Sequence, residues 1–153
     1  MRTSEQVTAE DLPPDNMPTD GSELMKVFLP ASPFVQELGV ALIEIEDGRA
    51  LLSLPFRPEL ATVGDMVHGA AIAGLMDIAA MCTSWAGAEI PEKLRGVTVS
   101  MATEFIDSAN AEDLVAEGTL LRRGASLCAT EIEIRTAADQ RLIAKGLATY
   151  KVG

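Results

Sequence analysis

The hydrophobic pattern of this chain divides it into three parts. In the first, two short apolar runs, Val40–Glu46 and Arg49–Leu54, are separated by Asp47-Gly48. Asp-Gly between such runs is a hairpin signal, because both turn residues tolerate positive φ. In the second, from Val67 to Ala88, the chain is apolar on nearly every side and long enough for five to six helical turns, which predicts a largely buried helix. In the third, four stretches carry strand character: Gly96–Ile106, Asp113–Arg122, Ser126–Arg135 and Arg141–Lys151. Within the first of these, alternation puts Val97, Val99, Met101 and Phe105 on one face and Thr98, Ser100 and Glu104 on the other. Thr136–Gln140 is a hairpin-sized loop between the last two. The order ββ, one long apolar helix, ββββ predicts an α+β domain in which an antiparallel sheet curls around the helix.

The flanking segments complete the picture. Residues 1–20 are polar and acidic and hold Pro13, Pro14 and Pro18, which reads as a disordered tail ahead of one domain over 21–153. Ser22 is placed to cap a short helix over Glu23–Leu29 that Pro30 ends, and Ser32-Pro33 to open a second reaching Leu38, with Gly39 as its stop. Pro55–Val67 is a loop leading into the long helix, and Gly87–Lys93 a connector leading out of it. No internal repeat is present.

Composition narrows the function classes. At 153 residues, 48% hydrophobic, with mean hydropathy +0.19, the chain is a single globular domain with a real core. The helical run is built from Ala, Gly and Met with His, Asp, Thr and Ser among them and no basic flank, which argues against a membrane span. The beginning of the chain lacks the basic-then-apolar layout of a secretory signal, so a cytoplasmic location is expected. A formal charge of −11 and a pI of 4.4 argue against nucleic acid and anionic membranes as partners. A phosphorylated small molecule needs only a local cluster of cations. Cys82 and Cys128 read as reduced core residues, and with one histidine in the chain no metal-ligand set is expected. That histidine, His68, has no nucleophile-elbow context for a Ser-His-Asp triad. Neither a metal nor a redox cofactor is called for.

The chemistry centres on Asp77, the only charged residue in the helical run. A carboxylate there loses hydration and must be either hydrogen-bonded for structure or employed in a reaction. His68-Gly69 opens the same run. Together with the loop Thr62-Val63-Gly64-Asp65-Met66-Val67, with Ala70, Gly96-Val97-Thr98-Val99 and Arg122-Arg123-Gly124, these pieces resemble the hotdog fold. More narrowly, from about Phe34 to Val152 the chain resembles the phenylacetic-acid-pathway type of acyl-CoA thioesterase. That resemblance implies that Asp77 activates the attacking water or attacks the thioester itself, and that the Gly69 N–H binds the thioester carbonyl. It implies that His68 fixes the helix start, that Thr98 orients the water, and that the corner Arg122, Arg123, Gly124 holds coenzyme A phosphates; in an otherwise acidic chain Lys145 is read as a further cation for them. The sequence departs from the family in having Thr62 where an asparagine commonly positions nucleophile or water, and Ala70 where a second glycine commonly follows the histidine. The resemblance also implies a homodimer, often a dimer of dimers. Two other classes stay open: a non-catalytic acyl-CoA binder, and a hotdog hydratase or dehydratase, which pairs a histidine with a carboxylate and so fits a one-histidine chain poorly.

Elementary geometry adds a requirement. A helix N-terminus offers unpaired N–H groups and partial positive charge, suited to a developing oxyanion. Gly69 and Asp77 are 77 − 69 = 8 residues apart, which is roughly 12 Å along one helix. One thioester carbon cannot touch both. If both act, they come from different subunits, and the active sites lie at the interface of a two-fold dimer. Arg122 and Arg123 point to opposite faces of a strand, so at most one aims squarely at a ligand. The scattered Met66, Met76, Met81 and Met101 read first as core, with some available to an adaptable acyl pocket.

Overall fold

A computed structural model describes residues 18–153. The tail assigned to 1–20 therefore lies outside the described residues except for its last three positions. Helices α1 (Gly21–Ala31) and α2 (Pro33–Leu38) precede the hairpin β1 (Ala41–Glu46) and β2 (Arg49–Leu54). The long helix α3 (Gly69–Trp85) follows, then β3 (Gly96–Phe105), β4 (Leu114–Arg123), β5 (Leu127–Thr136) and β6 (Leu142–Val152). All six strands form one antiparallel sheet in the order β1-β2-β4-β5-β6-β3, so β1 and β3 are its edges. The sheet curled around one helix is what the element order implied, and it is the hotdog architecture that the resemblance implied.

The concave face of the sheet closes on α3. Leu52, Leu54, Leu114, Ile132, Ile134 and Ile143 are essentially inaccessible there, opposite Leu75, Met76 and Ala79 of the helix. Two glycines let the backbones approach: a side chain at Gly118 would collide with Thr83, and one at Gly146 with Met76 and the Ala102 carbonyl. Such contacts make this layer intolerant of added volume. α1 covers the C-terminal half of α3, with Gly21 donating its N–H to the Ala88 carbonyl at 2.8 Å.

Local expectations are corrected in five places. α1 starts two residues earlier than expected because Asp20, not Ser22, caps it, accepting the Glu23 N–H at 3.0 Å. Ser22 Oγ instead accepts the Gly87 N–H at 2.9 Å and ties α1 to the connector after α3. Pro30 falls inside the last turn rather than ending the helix. α3 stops at Trp85, short of the apolar run, because Gly87 turns the chain at φ 73°. Nor is α3 covered all round: eleven of its 17 residues are buried, and the other six make one stripe that includes Asp77. Finally, a bulge between Thr98 and Ser100 resets the alternation of β3. Thr98 and Thr103 face the helix, while Val97 and Val99 are more than half exposed on the other side.

Candidate active site

The loop before α3 is a small hairpin that delivers His68. Thr62 N–H bonds the Met66 carbonyl at 2.9 Å, Gly64 takes the left-handed turn at φ 56°, and Asp65 and Val67 are bonded to Ala111 and Ala109 of the β3–β4 loop. Held this way, His68 is the N-cap of α3, and its Nδ1 accepts the Ala70 N–H at 2.9 Å. The His68 carbonyl accepts from Ala71 at 2.9 Å and Ile72 at 3.2 Å. Three of the first four N–H groups of the helix are thereby satisfied. Gly69 N–H makes no hydrogen bond among the described residues. It is the free donor at the positive end of the longest helix. Accepting at Nδ1 requires that nitrogen to be unprotonated, so the geometry presents His68 as a cap that positions the helix start.

Two turns farther along, Asp77 lies half-buried between α3 and edge strand β3. Thr98 Oγ1 donates to Asp77 Oδ1 at 2.5 Å. This bond exists because the β3 bulge turns Thr98 inward, and it leaves the second carboxylate oxygen free for other chemistry. Behind the pair sits Tyr150, the cross-strand partner of Thr98 and 5% exposed. Burial raises its phenol above the ordinary range, and the negative charge of Asp77 adds to the effect. A side chain at Gly96 would collide with the Tyr150 hydroxyl, which accounts for the glycine at the start of β3. Tyr150 and Trp85 were not among the sequence-derived candidates. The available signal was spacing, since Trp85 stands eight residues after Asp77 on the same helical face.

The remaining candidates separate. Thr62 is exposed and its hydroxyl makes no hydrogen bond among the described residues. Arg122 and Arg123 are both exposed at the end of β4, but the Arg123 guanidinium folds onto the C-terminus of α3, donating to the Ser84 and Ala86 carbonyls at 2.7 Å each. The two arginines thus part as strand alternation requires, one free and one capping the C-terminus of α3. Gly124 lies at the turn after them and lines an open cavity of about 500 Å³ with Arg123, Ile90 and Ser126. Lys145, expected as a further cation for phosphates, is paired on the outer face with Glu131 at 3.2 Å and Glu133 at 3.0 Å and is not available. Cys82 and Cys128 are buried free thiols, and burial pushes the Cys82 thiol up to about 12, so it is a core residue and no nucleophile. Among the described residues no cluster of three His, Cys, Asp or Glu could hold a metal ion, and no helix is long and apolar enough to cross a membrane.

The chain as a whole is similar to known proteins. The family described as "Thioesterase superfamily" matches residues 64–143, just over half of the chain. Acyl-coenzyme A thioesterase 13 of Homo sapiens is 28% identical over 137 residues, covering 86% of this chain and 93% of that protein. Among solved structures, a thioesterase family protein from Silicibacter pomeroyi superposes with a TM-score of 0.79 at 19% identity, covering 87% of this chain and 99% of the other. The E. coli PaaI protein, from the phenylacetic acid degradation operon, superposes at 0.73 with 16% identity over 89% of this chain and 96% of its own. At such identities the structural likeness speaks for the fold alone.

Proposed function

The chain belongs to the thioesterase superfamily, and from that premise we propose that it hydrolyses the thioester of an acyl-coenzyme A. The observation that carries this reading is the Asp77–Thr98 hydrogen bond of 2.5 Å on the open stripe of α3, with the unpaired Gly69 N–H at the head of the same helix. The Gly69 N–H holds the thioester oxygen as negative charge develops on it. The free oxygen of Asp77 takes the proton of a water that attacks the carbonyl carbon, or attacks that carbon itself to give an anhydride that water then opens. In either route the C–S bond breaks, and coenzyme A leaves as a thiolate that takes up a proton.

Because Gly69 and Asp77 are about 12 Å apart along one helix, the donor and the carboxylate that meet one thioester belong to two subunits. The free edge β3, with Val97 and Val99 more than half exposed, is the seam on which a second copy would add its own β3. Arg122, exposed with its guanidinium uncommitted, is the cation we assign to coenzyme A phosphates. Thr62 and Gly124 flank the path of the substrate.

The test is release of free thiol from a panel of acyl-CoAs, run beside size-exclusion chromatography. Thiol release by a dimer is expected. Saturable binding of acyl-CoA with no release would overturn hydrolysis in favour of a non-catalytic binder, and activity in a strict monomer would overturn the shared site.

A further inference from the structure

The six residues of α3 that are not buried are Gly69, Ala70, Ala73, Gly74, Asp77 and Met81. Their spacing of three or four residues puts them on one stripe of the helix. It begins at the free Gly69 N–H, passes Asp77, and ends at Met81, roughly 6 Å beyond the carboxylate along the axis. At that end the stripe opens into a cavity of about 410 Å³ between α1, α3 and the start of β3. Met25 and Phe28 from α1, Met81 and Trp85 from α3 and Tyr150 from β6 line it, together with one cation, Arg95, just before β3.

Three of these walls are aromatic, and two are methionines that can adapt to the shape of an occupant. Met25, Trp85 and Tyr150 are at least 95% buried, so the cavity has a fixed floor, whereas Phe28 at its mouth is 42% exposed. Asp77 does not itself line the cavity, but two of the lining residues are its neighbours. Met81 follows Asp77 by one helical turn, and Tyr150 is the direct partner of Thr98, which bonds Asp77.

We propose that this cavity receives the acyl group, so that the protein selects a medium-length, largely apolar acyl chain whose carbonyl lies at Asp77 and whose tail runs toward Trp85. The proposal rests on the thioesterase reading and names the substrate class of the same site.

Trp85 is the only tryptophan in the chain, so its fluorescence reports on the cavity without interference. S-octyl-coenzyme A, a thioether that cannot be hydrolysed, should change Trp85 emission saturably, whereas coenzyme A alone should not. Met81→Phe, which narrows the entrance beside Asp77, should weaken that response by about tenfold or more. If Met81→Phe does not fold, the wild type decides: the response must grow from S-methyl through S-butyl to S-octyl, and equal responses overturn the proposal. Silent Trp85 emission in a protein that does cleave octanoyl-CoA overturns the cavity assignment and leaves hydrolysis standing. A chain-length-dependent response with no thiol release refutes the thioesterase reading and leaves the cavity as an acyl site. Emission that follows protein concentration rather than ligand would place a second copy of the chain in the cavity and overturn the proposal.

Discussion

The two ends of α3 are built in opposite ways. At the N-terminus the cap is a neutral ring nitrogen that takes only the Ala70 N–H, and Gly69 is left with its donor free. At the C-terminus a guanidinium takes the Ser84 and Ala86 carbonyls, and α1 is laced onto the same turn through Gly21 and Ser22. The C-terminal carbonyls are buried and need donors, whereas Gly69 is only part-buried and its N–H stays accessible to an incoming group. Leaving the positive end open while neutralising the negative one is the arrangement expected if negative charge is to arrive during a reaction. On the proposed mechanism the C-terminal end carries stability and the N-terminal half carries chemistry. Substitutions in the two regions should separate these properties.

The strongest attempt to break that division is Asp77→Asn. Asparagine keeps an oxygen to accept from Thr98 and keeps the volume, so fold and self-association should be unchanged. It cannot take a proton from water or form the anhydride, and kcat should fall on the order of 10³-fold. A variant with full thiol-release activity would remove Asp77 from the mechanism. Next comes Gly69→Pro, which deletes the donor at the first helical position, where proline is well tolerated. His68, at φ −66° and ψ 135°, already has the backbone conformation that precedes proline, and the space beside Gly69 holds only ordinary contacts with Phe105. Thermal stability should therefore change little while kcat falls about 10²-fold. Unchanged kcat in a folded Gly69→Pro would mean that another donor receives the oxyanion.

Much of this division was legible in the amino-acid order, and what was hidden has a physical reason in each case. Asp47-Gly48, the apolar run around Asp77 and the His68-Gly69 start are local signals, and the fold follows from their sequence. The Asp77–Thr98 bond was less accessible, because simple alternation put Thr98 opposite Met101, and only an unpaired residue in the β3–β6 ladder brings it round to the helix. Bulges have no period of their own to read. The fate of Arg123 was equally hidden, since its partners lie 37 and 39 residues away in sequence. Alternation indicated that Arg122 and Arg123 would part, but not that one of them would find a helix terminus. Lys145 was misread for a related reason: its two carboxylate neighbours come from β5, and only the strand register brings them together.

At the closed end, Arg123→Met should give the reverse of the N-terminal variants. Methionine fills part of the volume but removes both guanidinium bonds, leaving the Ala86 carbonyl with only the Gly48 N–H at 3.2 Å and the Ser84 carbonyl with only the weak Cys128 thiol donor, at a cost of about 2 kcal/mol and roughly 5 °C in Tm. KM and kcat for an acyl-CoA should stay within about twofold, because the guanidinium faces the helix and not the substrate. A raised KM with unchanged Tm would assign Arg123 to coenzyme A and erase the contrast between the two ends.

The smallest effect, and the one that sharpens the contrast, is expected from Arg123→Lys. Two causes could make a cation valuable at this terminus. One is its charge against the negative end of the helix dipole, on the order of 0.3–1 kcal/mol at a surface site. The other is the planar fork that satisfies Ser84 and Ala86 together, which an ammonium on a flexible stem cannot reproduce. Lysine keeps the first and loses most of the second, so its stability should lie between wild type and Arg123→Met, about 1 kcal/mol below wild type. If lysine matched wild type, charge alone would be closing this end, and raising the salt concentration should then weaken it, since a surface charge effect is screened. If it matched methionine, the two carbonyl bonds would account for the whole effect. An intermediate, salt-insensitive loss would mean that the C-terminus of α3 is held by bond geometry, while its N-terminus is kept for a charge that comes only with the substrate.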